Sequence, residues 1–124
     1  MKQFSEDGLS FSYPAMWNLE KKDTPQGWVV TVQSPGTAFV MILCDKEMPD
    51  PEEMAETTLE ALRSDYPGLD ASRTMDTVAG VPAVGHEVDF ISLDEPISCK
   101  TQSFPGPMGT ILALSQMSGH DQKK

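Results

Sequence analysis

The sequence predicts an α+β fold: an antiparallel sheet of about six to eight strands with one main helix packed on it. Two observations support this prediction. Residues 48–68 contain the one strong helical pattern of the chain, and the other segments are short, alternate in hydropathy and end at turn residues. Because the intervening turns are short, we expect sequential strands to be antiparallel neighbours.

The helix is predicted from its start signal, its apolar stripe and its stop signal. Asp50 can cap the first turn, Pro51 stands where a missing N–H costs nothing, and Glu53 completes a capping box. Pro67 and Gly68 end the pattern. The stripe expected to face the sheet consists of Met54, Thr58, Leu59, Leu62 and Tyr66.

The strands are predicted from alternation between turn signals. Asp7-Gly8 is a favoured hairpin turn between residues 3–4 and 9–13. Residues 37–44 are apolar on both faces, which is typical of an inner strand that is covered on both sides. The remaining predicted strands are 17–22, 28–33, 69–78, 81–90, 97–104 and 110–116.

Length and charge limit the classes of function. The 124 residues predict a single α+β domain over residues 1–117 and a flexible tail over 118–124. The net charge of −10 disfavours nucleic acid and anionic membrane surfaces as partners. The N-terminal residues have no apolar core of a signal peptide, so we expect a cytoplasmic protein; a trimmed form of a secreted protein is the alternative.

No pattern in the chain predicts a catalytic, cofactor or metal site. Phosphate-binding glycine loops and the nucleophile-elbow pattern are absent from the sequence. The acidic run 45–56 departs from the calcium-loop template, which has glycine where Asp50 stands. Cys44 and Cys99 would form a disulfide only if their strands paired, and a cytoplasmic protein disfavours that. We therefore expect no enzyme, no cofactor and no metal.

Two groups of residues are candidates for function. Glu53, Glu56 and Glu60 form an acidic outer face of the helix and are the candidate partner-binding residues; the alternative is a solvated helix face. His86, Glu87 and Asp89 are the candidate pocket of a small-ligand-binding protein or enzyme. Two observations argue against such a pocket. His86 lies among apolar residues of its strand, where a hydrogen-bonded core histidine is the alternative. Alternation places the carboxylates of Glu87 and Asp89 together on a polar strand face, where solvated side chains are the alternative.

The order of several local motifs resembles the PsbP-like superfamily. These motifs are the opening GLSFSYPAMW, the helix PEEMAETTLEAL and the segment TVAGVPAVGHEVDF, and the resemblance spans residues 4–116. That superfamily includes photosystem oxygen-evolving subunits, a Ran-binding import factor and small bacterial proteins, some of them adaptor chaperones for secretion effectors. The matching positions are structural: Tyr13, Pro14, Trp17, Gly80 and Pro82.

The resemblance implies a non-catalytic protein-binding or adaptor role for a bacterial protein. Such proteins usually end in a second helix, for which the sequence gives no clear signal after Gln116. One strong helix cannot cover both faces of a sheet that is apolar on both sides. We therefore expect another protein as partner, or a homodimer that closes the uncovered face.

Overall fold

The computed structural model describes residues 1–118, which form nine strands and one helix. The α+β prediction is confirmed: the main sheet has seven strands, within the six to eight expected, and the predicted N-terminal hairpin forms a separate two-stranded sheet. The elements are β1 (Lys2–Glu6), β2 (Leu9–Tyr13), β3 (Asn18–Thr24), β4 (Gly27–Gln33), β5 (Phe39–Asp45), α1 (Pro51–Asp65), β6 (Asp70–Val78), β7 (Val81–Ser92), β8 (Glu95–Pro105) and β9 (Thr110–Ser118).

The strands form two antiparallel sheets. β1 pairs with β2, and the other strands form a seven-stranded sheet in the order β3-β4-β5-β9-β8-β7-β6. β5 lies between β4 and β9, which explains why its side chains are apolar on both faces. β7 and β8 extend beyond the predicted boundaries and meet at a turn formed by Leu93 and Asp94.

Helix α1 begins and ends where its sequence signals predict. A side-chain oxygen of Asp50 accepts a hydrogen bond from the Glu52 backbone N–H at 2.8 Å. The helix packs on β7, β8 and β9, with Ala55 and Leu59 buried at the contact. We call this side of the sheet the helix face; its core side chains are Val88, Phe90, Cys99 and Leu114.

The N-terminal hairpin covers part of the opposite side, which we call the hairpin face. Asp7 and Gly8 have positive φ angles, as a tight two-residue hairpin turn requires. Phe4, Leu9 and Phe11 of the hairpin pack against the core of this face, and the Phe4 ring centroid lies 5.7 Å from that of Trp28. The hairpin is therefore a second cover of the sheet, on the face opposite the helix. The core of this face consists of Trp28, Val30, Cys44, Ala83, Phe104 and Ile111.

Of the tail predicted over residues 118–124, only the first residue belongs to the described part of the chain. Ser118, which the sequence assigns to the tail, is the last residue of β9, and the remaining tail residues lie outside the described part of the chain. Within residues 1–118 there is no second helix. In the same residues, no helix combines the length and the apolar character that crossing a bilayer demands.

Candidate functional site

Helix α1 packs mainly on β7, β8 and β9, and apolar side chains of β4 and β5 on the same sheet face remain partly exposed. Alternation in β4 directs Trp28, Val30 and Val32 to the buried hairpin face, so Val29 and Thr31 lie on the helix face. Val29 pairs with Leu43 and Thr31 with Met41 across the two strands. All are half-buried. We call this surface the open strip: Val29, Thr31, Phe39, Met41 and Leu43.

A groove continues the open strip towards the start of α1. It has a volume of about 270 Å³, and Leu43, Met54 and Leu112 form its apolar lining. Asp45 and Glu53 supply carboxylates to the same groove. Glu53 is exposed, and no ion pair to it is found among residues 1–118. We call this feature the helix groove; its carboxylates make it suited to a partner with apolar and basic groups.

The other two carboxylates of the predicted acidic face have partners on this chain. Glu56 Oε1 lies 3.6 Å from His86 Nε2 of β7, and Glu60 pairs with Arg63 one turn later at 3.0 Å. The three predicted residues therefore do not form one uniform surface. Glu53 faces the helix groove, whereas Glu56 lies at the contact between α1 and the sheet.

The second predicted group, His86 with Glu87 and Asp89, is divided between the two faces of β7. The side chain of His86 is buried towards α1, and the two carboxylates are exposed on the hairpin face. The structure therefore does not bring the three residues into one pocket. Period-two alternation along a strand is the physical reason, since neighbouring side chains point to opposite faces.

Glu87 and Asp89 line a polar cleft of their own. This cleft of about 390 Å³ also contains Lys100, Ser98 and Ser115. The Ser98 hydroxyl donates a hydrogen bond to Asp89 at 2.8 Å, and the Lys100 ammonium pairs with Asp76 at 3.2 Å. This part of the hairpin face is therefore polar, with the charged groups of Asp89 and Lys100 paired to neighbouring side chains.

Beneath the helix, two buried polar atoms have no protein hydrogen-bond partner within residues 1–118. They are Nδ1 of His86 and Oγ of Ser103. Both residues lie on the helix face, because His86 pairs with Thr101 and Ser103 stands two positions further along β8. His86 is 6% exposed and Ser103 is fully buried. A substrate could not reach either side chain in this arrangement.

The two thiols are buried and separated. Cys44 of β5 lies on the hairpin face and Cys99 of β8 on the helix face, with β9 between their strands. Burial raises the pKa of both, to about 11 for Cys99. Both are free thiols. In residues 1–118, no three His, Cys, Asp or Glu side chains are grouped for metal binding.

Sequence reasoning predicted an uncovered sheet face but did not locate the open strip. The apolar character of 37–44 on both faces correctly indicated an inner strand, but it does not show which of the two faces is less covered. The available signal was the half-apolar outer face of β4, where Val29 and Thr31 alternate with the fully buried residues.

Comparison with known proteins supports the fold alone. No family model and no curated protein matches the chain. Among solved structures, PA94 from Pseudomonas aeruginosa, a protein of unknown function described as a candidate regulator, is similar with a TM-score of 0.55. The sequence identity is 14%, over 99% of this chain and 86% of that chain.

Proposed function

We propose that this chain is a small, non-catalytic protein-binding domain of the adaptor kind, consistent with its resemblance to PsbP-like proteins. The observation that carries this proposal is the open strip beside helix α1. Its apolar side chains are only half-buried, although β4 and β5 are interior strands of the seven-stranded sheet. Contiguous partly exposed apolar surface of this kind is typical of protein interaction sites.

The surroundings of the strip also favour a protein partner. On one side, β3 presents exposed Glu20 and Lys22 opposite Thr31 and Val29. On the other side lies the helix groove with Glu53 and Asp45. An apolar centre with a polar and charged rim is the usual arrangement of a protein interface.

The test is affinity capture from a lysate of the source organism with matched variants. Val29→Ser together with Met41→Ser removes apolar surface from the strip, and Glu87→Gln serves as control on the opposite sheet face. We expect the wild-type chain and Glu87→Gln to enrich the same specific protein, and the strip variant to lose it. Loss of capture by Glu87→Gln alone, or equal capture by all three chains, would contradict the proposal.

A second copy of the chain is the alternative occupant of the same strip. Light scattering after size exclusion distinguishes the two cases, because a homodimer has twice the 13.6 kDa of one chain. Circular dichroism of the variants in the same buffer shows whether they remain folded. A dimer that the strip substitutions dissociate would assign the strip to self-association instead of a different protein.

A further inference from the structure

The helix groove is continuous with the open strip, because one row of side chains crosses both. Val29 of β4 pairs with Leu43 of β5, and Leu43 pairs in turn with Leu112 of β9. Directly paired residues of neighbouring strands have their side chains on the same sheet face. Leu43 therefore belongs to the strip and to the groove, and a protein that covers the strip lies next to the groove.

The floor and one wall of the helix groove are apolar. Leu43 and Leu112 form the floor on the sheet, and Leu112 is 5% exposed. Met54 of α1 forms the wall. The volume of about 270 Å³ is smaller than that of pockets for whole small ligands, which begin at about 300 Å³. The groove therefore suits a single side chain of a partner.

The two carboxylates of the groove lie on the same side of the sheet as its apolar lining. Asp45 stands two positions after Leu43 on β5, and alternation directs both side chains away from the hairpin face, where Cys44 is buried. Its Cα lies about 7 Å along the strand from that of Leu43. Glu53 directly precedes Met54 on α1. Both acids line the groove together with the apolar residues.

No cation within residues 1–118 is paired with these carboxylates. Neither Asp45 nor Glu53 forms an ion pair in that part of the chain. Lys46, which follows Asp45, pairs instead with Asp7 of the N-terminal hairpin on the opposite sheet face. A partner that excluded water from the groove without supplying a cation would leave two charged groups desolvated, which costs free energy.

We propose that the helix groove receives an arginine side chain of the protein that binds the open strip. The methylene groups of that arginine pack on Leu43, Met54 and Leu112. Its guanidinium group donates hydrogen bonds to the carboxylates of Asp45 and Glu53. Arginine suits two carboxylates better than lysine does, because its planar group carries several N–H donors and is more weakly hydrated. This inference rests on the proposed function and adds the chemistry of the partner's anchor.

The test is a titration of the full isotope-labelled chain with propylguanidinium, which has the chemical groups of one arginine side chain, followed by NMR. The comparison probes are guanidinium, which lacks the alkyl stem, and propylurea, which has a similar shape but no charge. We expect propylguanidinium to shift the signals of residues that line the groove: Leu43, Asp45, Met54 and Leu112. Both comparison probes should bind at least about threefold more weakly, because each lacks one of the two kinds of contact.

Matched variants separate the groove from general attraction of a cation to an acidic chain. Asp45→Asn with Glu53→Gln removes both groove charges and keeps an amide oxygen that can accept the hydrogen bond from the Glu47 N–H. Asp65→Asn with Asp70→Asn removes two exposed charges elsewhere. We expect the first pair to weaken propylguanidinium binding at least about threefold and the second to leave it unchanged. Equal binding to both pairs, or equal binding of propylurea and propylguanidinium, would overturn the proposal.

The affinity of the captured partner separates this inference from the proposed function. Val29→Ser with Met41→Ser alters the strip at residues that do not line the groove, whereas Asp45→Asn with Glu53→Gln alters only the groove charges. Loss of affinity in both variants supports the arginine anchor. Loss in the strip variant alone would overturn the anchor and leave the proposed function standing, and unchanged affinity in both would contradict the proposed function itself.

Discussion

The indole N–H of Trp28 donates a hydrogen bond to Asp7 Oδ2 at 2.9 Å. This contact joins the turn of the N-terminal hairpin to the core of the hairpin face. Lys46 lies 3.1 Å from the same carboxylate oxygen, so a buried aromatic ring and a cation both hold Asp7. The hydrogen bond from Trp28 and the neighbouring Lys46 lower the pKa of Asp7 below its ordinary value of 3.8.

This contact predicts an acid-dependent loss of stability. A carboxyl group with a lowered pKa in the folded state stabilises the fold above its unfolded pKa, and the contribution is lost as pH falls through the folded value. We expect Asp7→Asn to be less stable than wild type near neutral pH, with a difference that shrinks below pH 3.8. Thermal midpoints measured at a series of pH values provide the test.

The control for that experiment is Asp65→Asn, which changes an exposed carboxylate at the last residue of α1. Because Asp65 forms no ion pair within residues 1–118, its replacement should change the thermal midpoint at neutral pH less than Asp7→Asn does. A difference between wild type and Asp7→Asn that stays constant down to pH of about 2 would show that the carboxylate charge does not hold the hairpin.

A second prediction concerns the contact between α1 and the sheet. Leu59 is 6% exposed and belongs to the core of the helix face, so Leu59→Ala should lower the free energy of unfolding by about 2–4 kcal/mol. Leu62 is half-buried and its truncation should cost less. Urea unfolding of both variants, with exposed Ala61→Ser as control, measures the difference. Equal small losses for both leucines would mean that the helix does not pack as described.

A third prediction concerns the strained turn between β7 and β8, which Leu93 and Asp94 form. Leu93 and Asp94 both have positive φ angles, 52° and 65°, where Asn and Gly are the favoured residues. Leu93→Asn should therefore raise the free energy of unfolding by about 1 kcal/mol. Leu93→Ala removes the same exposed side chain but keeps a residue that is disfavoured in this conformation, so it should give little gain. If both variants gained the same free energy of unfolding, the gain would come from removal of the exposed apolar side chain and not from relief of backbone strain.

A fourth prediction concerns the thiols. Because Cys44 and Cys99 are buried and burial raises the pKa of each, little reactive thiolate is present at neutral pH. A thiol reagent should modify the native chain only slowly and the urea-unfolded chain at once. Rapid modification of one cysteine in the native state would indicate local opening of its strand.

Local sequence signals predicted which helices and strands form more accurately than they predicted the residues at which these elements end. The Asp7-Gly8 turn, the Asp50 cap and the inner strand β5 were all identified, because each rests on nearby residues. The end of β7 was not, because Leu93 occupies a turn position with positive φ at which leucine is unusual, and Asp94 alone is a weak turn signal. The sequence therefore predicts that the strand ends at Phe90, whereas β7 continues to Ser92.

The candidate site depended on contacts between distant segments and was predicted only in part. Glu53 lies at the helix groove as an exposed carboxylate, in agreement with its place on the outer helical stripe. The pairing of Glu56 with His86 follows from how α1 is placed on β7, which helical periodicity cannot specify. Likewise, the open strip exists because α1 packs mainly on β7, β8 and β9 and leaves the side chains of β4 and β5 partly exposed.

The most direct test of the proposed function is the affinity of the purified captured protein for matched variants of this chain. Calorimetry would compare wild type, Val29→Ser with Met41→Ser, and Glu87→Gln at one salt concentration. We predict that the strip variant loses at least about tenfold in affinity, because central apolar contacts carry most of an interface's binding energy. Glu87→Gln should bind as wild type does. Equal affinities for all three chains, with each shown to be folded, would contradict the assignment of the open strip as the binding surface.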